Sequence, residues 1–225
     1  MARIFHVLPL AALLLAALGS ASAATLDVLA YQSDGRPVAD AVVTLQGPAG
    51  APQGAFKADM DQRDQRFAPH VLAVHTGTQV RFPNSDNIRH QVYSFSTAKR
   101  FELRLYEGTP AAPLLFDKPG VVVLGCNIHD WMLGYIYVTD DPRFGVSDDQ
   151  GRVRLADLPA GDYRLTLWHP QLAGMQPLDG GTVHVPAAGF SHRVALTLAP
   201  APADLPPTPS AFGDAFNRAA RETAQ

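Results

Sequence analysis

The chain consists of short segments in which apolar and polar residues alternate, separated by turns rich in Gly, Pro, Asn and Asp. Residues 24–31 alternate in this way, and a D-G-R-P turn at residues 34–37 separates them from a second apolar segment at residues 41–45. Strict alternation predicts strands with one buried face. Because such segments recur at regular spacing with turn signals between them, we expect an all-β fold of the sandwich type.

The predicted strands fall into three blocks. The first covers residues 24–47, the second residues 54–140, and the third residues 146–199. Residues 200–225 form a tail that is rich in Pro and Ala, so we expect it to be extended, with one short helix over residues 210–224.

The first residues have the pattern of an export signal. Arg3 supplies a positive charge, residues 8–18 are apolar, and Ala21, Ser22 and Ala23 form a small-residue cleavage site. We therefore expect a signal peptide over residues 1–23 and a mature protein in a bacterial periplasm, with no membrane attachment after cleavage. An uncleaved membrane anchor is the alternative, although the apolar run is too short to span a bilayer.

Composition adds a constraint on chemistry. The chain has 225 residues, a formal net charge of −3 and 47% hydrophobic residues, which fits one large or two small soluble domains and gives no sign of nucleic-acid binding. It has a single cysteine, Cys126. In an exported protein a lone cysteine is inert, forms an intermolecular bridge or binds a metal. His129 follows three residues later and Met132 three after that, which favours a metal.

A second histidine, His90, completes a specific ligand set. One thiolate, two imidazoles and one thioether are the ligands of a mononuclear blue-copper site. Cys126, His129 and Met132 lie between two predicted strands, so a hairpin would hold three ligands in fixed geometry. Zinc is the alternative metal, although a methionine ligand is unusual for it. The other histidines lack ligand spacing, and we expect them to be surface or structural residues: His70, His75, His169, His184 and His192.

Residues 56–138 resemble a cupredoxin. The F-P-N-S-D stretch before His90 is similar to the segment that carries the first histidine ligand in plastocyanins and pseudoazurins, and C-x-x-H-x-x-M is similar to the amicyanin loop. The resemblance implies a Greek-key sandwich with one type 1 copper ion, in which His90, Cys126 and His129 are equatorial ligands and Met132 is the axial ligand.

Two neighbours of these residues leave alternatives open. Many cupredoxins have an asparagine after the first histidine that braces the ligand loops, and here Gln91 stands in that position. Either its longer side chain replaces the brace, or the loops are connected through Asn84 or Asn127. Trp131 either packs over the metal or belongs to an apolar docking patch beside His129.

The third block resembles the second half of a carboxypeptidase-regulatory-like, transthyretin-type sandwich. The turn residues of D-Q-G-R-V-R-L and L-P-A-G-D-Y-R-L carry this resemblance, and D-G-R-P followed by A-V-V is similar to the first half of that family. We expect the copper block to be inserted into this small sandwich, so that Val28 pairs with strands of residues 152–198. The competing interpretation assigns residues 25–45 to the cupredoxin. Trp168 is expected in a core, with contact to the copper block or a partner as the alternative.

The leading functional hypothesis is a periplasmic electron carrier and not an enzyme. The resemblance includes proteins of the methylamine-utilisation type, and by that analogy the redox partner would be a quinoprotein or a c-type cytochrome. Alternatives are a copper carrier without a redox role, a copper oxidase or nitrite reductase, and a scaffold without metal. A copper enzyme needs further ligands at a second cluster, and the sequence has no such pattern.

Overall fold

The structure is a computed structural model that describes residues 23–48, 50, 54–110 and 112–200. The expected signal peptide, apart from Ala23, and the expected helix over residues 210–224 lie outside these residues. The described chain contains seventeen strands and one short 3-10 turn at Ala173–Met175. No helix in the described part is both long and apolar enough to cross a bilayer.

The strands run in chain order as follows: β1 Ala24–Gln32, β2 Val42–Gln46, β3 Lys57–Asp59, β4 Asp61–Arg63, β5 Arg66–Ala68, β6 Val71–His75, β7 Thr78–Arg81, β8 His90–Phe95, β9 Arg100–Tyr106, β10 Leu114–Phe116, β11 Gly120–Gly125, β12 Leu133–Thr139, β13 Arg143–Val146, β14 Arg152–Leu158, β15 Gly161–Trp168, β16 Leu178–Val185 and β17 Phe190–Leu196. The predicted all-β sandwich fold is confirmed.

The first two strands pair with the last five. One sheet has the order β14-β1-β17, and the facing sheet has the order β13-β2-β15-β16. Val28 of β1 lies opposite Val153 of β14 and His192 of β17. Alternating apolar residues of the two sheets, among them Leu26, Leu45 and Leu165, form a common core. We call β1, β2 and β13–β17 the outer sandwich.

The strands between them form a second unit, which we call the inserted sandwich (β3–β12). Its larger sheet has the order β6-β12-β11-β8-β9, and a smaller sheet has the order β10-β7-β3. Val80, Phe116 and Val122 contribute to the core between these sheets. Strands β11 and β12 form an antiparallel ladder that ends with Gly125 opposite Leu133. The loop that closes this ladder carries three of the four candidate ligands.

A third apolar cluster joins the two sandwiches. Trp168, at the end of β15, is completely buried, and its ring lies 5.3 Å from that of Tyr137 and 5.9 Å from that of Tyr135, both on β12. Val42 and Val71 belong to the same cluster. Trp168 is therefore buried, as expected for a core residue, and it also contacts the inserted sandwich. The strand that follows Met132 packs directly on the outer sandwich.

Candidate metal centre

The loop between β11 and β12 is shaped by its own backbone. The amide of Met132 donates to the carbonyl of His129 at 2.9 Å, and the amide of Leu133 donates to that of Trp131 at 3.0 Å. Gly125 lets Tyr93 of β8 pack over the strand just before the cysteine, because a Cβ atom there would lie 2.7 Å from the Tyr93 ring. Close packing and local turns thus fix the start and the end of the loop.

Three of the four predicted ligands come together at this loop. The candidate ligand atoms of His90, Cys126 and His129 all lie within 4.8 Å of one another. The Cys126 sulfur is 3.9 Å from Nδ1 of His129, and the two imidazole rings are 4.9 Å apart. His90 and Cys126 are buried, whereas His129 is partly exposed. The cluster therefore lies within the sandwich with one imidazole reaching the surface.

The two nitrogens of His90 have different environments. Nε2 lies 2.7 Å from a carboxylate oxygen of Asp86. Nδ1 is buried and has no hydrogen-bond partner among the described residues. A buried polar atom without a partner costs about 1 to 3 kcal/mol, so such atoms are rare in folded proteins. An unpaired imidazole nitrogen beside a thiol and a second imidazole fits a copper or zinc ion.

Met132 is also buried at this position. It is 1% exposed and belongs to the same apolar cluster as Cys126. Burial alone is equally typical of a core methionine. Its role as an axial ligand therefore stays a prediction.

The charges around the site suit metal binding. Burial, followed by the proximity of His90, lowers the pKa of His129 against an opposing effect of Asp86. Burial acts to raise the pKa of Asp86, but hydrogen bonds from the Gln65 amide, the His90 ring and the Asp64 amide together outweigh it, so the pKa is lowered. His129 thus favours the neutral form that ligates metals, and Asp86 favours the anion.

Gln91 connects the two ligand loops. Asn127, next to Cys126, donates a side-chain hydrogen bond of 2.8 Å to Oε1 of Gln91. Nε2 of Gln91 donates in turn to Glu102 on β9 at 2.8 Å. The sequence left open whether Gln91 replaces the usual brace or whether Asn127 provides the connection. In the structure the two residues form the connection together, because Asn127 donates its hydrogen bond to Gln91.

Asn84 holds the loop before His90. Its side-chain amide donates to the carbonyls of Ile88 at 2.8 Å and Tyr106 at 3.0 Å. Its side-chain oxygen accepts from the amide of Asp86 at 3.1 Å. Asn84 therefore shapes the loop that carries Asp86 and His90, and it has no bond to the cysteine loop in the described contacts.

Asp86 is the residue whose role the sequence analysis missed. It entered only as part of the F-P-N-S-D lead-in to His90. The spacing of four residues carried a weak signal, because a short loop can fold a carboxylate back onto a following histidine. Its other partners, Asp64 and Gln65, are distant in sequence and could not be inferred.

The remaining described histidines do not approach this cluster closely enough to share an ion. His70 pairs with Asp40 at 2.8 Å and His184 with Asp162 at 2.7 Å, both at the surface. His169 is buried and accepts a hydrogen bond from the Gln171 amide at 3.1 Å. In the described part of the chain, His90, Cys126 and His129 form the one group of three metal-binding side chains.

An apolar rim formed by Ile128 and Trp131 lies beside the partly exposed His129. Ile128 and Trp131 are 49% and 41% exposed, and the Trp131 ring is 5.2 Å from the His129 ring. Apolar side chains on the surface around a functional group are typical of a contact surface for a partner.

Comparison with known proteins gives partial structural matches. No protein-family model and no curated protein sequence matches the chain. The chain is similar to a purple cupredoxin from Nitrosopumilus maritimus, with 21% identity and a TM-score of 0.33 over 36% of this chain and 99% of the other. It is similar to an amicyanin variant in the Cu(I) state, with 20% identity and a TM-score of 0.33 over 44% and 99%. A copper-containing nitrite reductase from Thermus scotoductus SA-01 matches with 25% identity and a TM-score of 0.35 over 43% of this chain, which spans only 25% of that enzyme.

Proposed function

We propose that the inserted sandwich is a copper domain of the cupredoxin type, which carries single electrons between partner proteins. His90, Cys126 and His129 would be the equatorial ligands of one type 1 ion, with Met132 as the axial ligand. The main support for the proposal is the buried Nδ1 of His90, which has no hydrogen-bond partner in the described part of the chain. His90 lies in one cluster with the Cys126 sulfur and the His129 ring. A copper ion held by this donor set supplies one-electron redox chemistry.

The residues around the ligands favour a site whose ligand geometry changes little when the metal ion gains or loses an electron. Asp86 fixes the orientation of the His90 ring, and the Gln91–Asn127 bond holds the cysteine loop against β8. Burial of His90 and Cys126 excludes water from the ligand side of the cluster. Outer hydrogen bonds of this kind orient metal ligands and tune their electronic properties.

The proposal extends to place and partner. The expected signal peptide of residues 1–23 would direct the protein to the periplasm, where no membrane attachment would remain after cleavage. Electrons would pass through the exposed edge of His129, and the rim formed by Ile128 and Trp131 would contact the partner. A quinoprotein or a c-type cytochrome is the partner class that we propose. A small apolar rim suits the brief contacts of redox proteins.

Copper titration of the purified, metal-free protein tests this proposal. We expect one equivalent of Cu(II) to produce an intense thiolate-to-copper absorption band. Cys126→Ser should abolish the band, whereas His184→Gln, which changes an exposed histidine outside the cluster, should keep it. Colourless binding of Cu(I) alone would instead favour a copper carrier, and binding of Zn(II) without Cu(II) would favour a structural zinc site. Absence of metal binding would favour the remaining hypothesis, a scaffold protein without a metal.

A further inference from the structure

Asp86 is held in one position by three donors. The amide of Asp64 donates to Oδ1 at 2.7 Å, and the amide of Gln65 donates to Oδ2 at 3.0 Å. The His90 ring lies 2.7 Å from Oδ2 through Nε2. The side chain of Asp86 is 13% exposed and that of His90 is fully buried. A carboxylate with this many partners has little rotational freedom.

In the part of the chain that the structure describes, no Lys or Arg forms an ion pair with Asp86. Nearby arginines pair with other acids: Arg63 with Asp61 and Arg89 with Glu107. The basic side chain that lies within reach of the Asp86 carboxylate is the His90 ring, at 2.7 Å. The charge of Asp86 therefore acts on the His90 ring and on a metal ion bound at the opposite side of that ring.

The two backbone donors come from a turn that is distant from Asp86 in sequence. Asp64 and Gln65 connect β4 and β5, and both have positive φ angles, 54° and 56°. This left-handed backbone turns both amides toward the carboxylate. The β4–β5 hairpin is thereby connected to the imidazole through Asp86.

We propose that Asp86 is a positioning residue that makes the His90 site favour the more highly charged state of its metal. This inference rests on the proposed copper site. An ionised carboxylate only accepts hydrogen bonds, so it keeps the proton on Nε2 and leaves the Nδ1 lone pair free for the metal. The fixed negative charge behind the ring stabilises Cu(II) more than Cu(I), because Coulomb attraction grows with the charge of the ion. Asp86 therefore lowers the reduction potential and raises the affinity for Cu(II) relative to Cu(I).

Replacement of the carboxylate by an amide tests the inference. In Asp86→Asn we expect affinity for Cu(II) to fall about tenfold more than affinity for Cu(I), since changes to partners of metal ligands commonly cost 10- to 100-fold in affinity. A tenfold change corresponds to a rise of about 59 mV in the potential of a one-electron couple. Asp86→Glu, which keeps the charge, should return the potential toward that of the unchanged protein.

Asp61→Asn is the matched control. Asp61 lies on the same hairpin, its side chain is 16% exposed, and it accepts from Ser85 at 2.8 Å without contact to His90. We expect Asp61→Asn to change the copper reduction potential by only a small fraction of the change in Asp86→Asn. Equal shifts in the two variants would assign the effect to general charge and overturn a specific role for Asp86. Denaturant unfolding of both metal-free variants separates loss of stability from the change in potential.

A measurement on the unchanged protein remains informative if Asp86→Asn does not fold. Nitrogen-15 NMR of the metal-free protein should show His90 with the proton on Nε2 and none on Nδ1, and the opposite tautomer would overturn the inference. If folded Asp86→Asn has a reversible copper couple with an unchanged potential, the role of Asp86 is refuted and the proposed copper site is not. Absence of any copper couple in the unchanged protein would instead refute the proposed function.

Discussion

Asn127 donates a hydrogen bond of 2.8 Å to Gln91, and this bond joins the residue after the cysteine to the residue after the first histidine. Strand pairing of Tyr93 with Gly125 and the packing of the Tyr93 ring on this glycine also connect the two segments. Glu102 holds the far end of Gln91, so the connection continues to the edge strand β9. The distance between His90 and Cys126 thus depends on a chain of polar contacts as well as on the sheet.

Removal of the Gln91 side-chain amide should weaken this connection. Gln91→Leu leaves Asn127 and Glu102 without this partner, and we expect the free energy of unfolding to fall by about 1 to 3 kcal/mol. Urea unfolding of the metal-free protein measures it. Gln79→Leu is the control, because Gln79 is exposed on β7 and such changes usually stay within about 0.5 kcal/mol. Equal losses in the two variants would show that the brace contributes no stability.

Trp168 should be a main source of stability between the two sandwiches. Trp168→Ala removes a fully buried ring from contact with Tyr135 and Tyr137, and we expect a loss of about 3 to 5 kcal/mol. Trp131→Ala, at the exposed rim, should change stability by only about 0.5 kcal/mol. Denaturant unfolding followed by circular dichroism compares the two. A small loss for Trp168→Ala would contradict a packed interface.

His169 predicts how stability depends on pH. Burial is the main reason that its pKa in the folded protein is lowered, against opposing contributions from Asp40 and the Ala39 carbonyl. The unfolded chain therefore takes up the proton first as the pH falls below about 6.5, and this group's contribution to stability decreases there and levels off below the folded pKa.

His169→Asn tests that dependence. Asparagine does not titrate and can still accept from the Gln171 amide, so the fall in unfolding free energy between pH 8 and pH 5 should be smaller in the variant. Urea unfolding of the metal-free protein at the two pH values measures the difference. An identical fall in both proteins would show that His169 does not contribute.

Met132→Leu tests the axial position. A hydrocarbon in place of the thioether disfavours the more highly charged ion, so we expect the visible band to remain and the reduction potential to rise. Met60→Leu is the control, because Met60 is fully buried in the same apolar cluster. Its potential should not change. An unchanged potential in Met132→Leu would refute the axial role.

Much of this fold and of the candidate site could be predicted from local patterns in the sequence. Alternation gave the all-β fold, and the spacing of Cys126 and His129 placed both on one hairpin loop because their separation is short. His90 could be included because it completed the donor set and because the F-P-N-S-D segment before it resembles that of a first histidine ligand. The partners of these ligands depend on packing between distant segments, as the contact of Asp86 with the Asp64–Gln65 turn shows. Trp168 could be expected in a core, but its contact with β12 depends on how two sandwiches meet.

X-ray absorption spectroscopy of the copper-loaded protein tests the central claim most directly, because it identifies the atoms bound to the ion. We predict one short bond from copper to the Cys126 sulfur and two bonds from copper to imidazole nitrogens. The copper–sulfur signal should be lost in Cys126→Ser. Coordination by nitrogen and oxygen alone in the unchanged protein would contradict the assignment of a blue-copper centre.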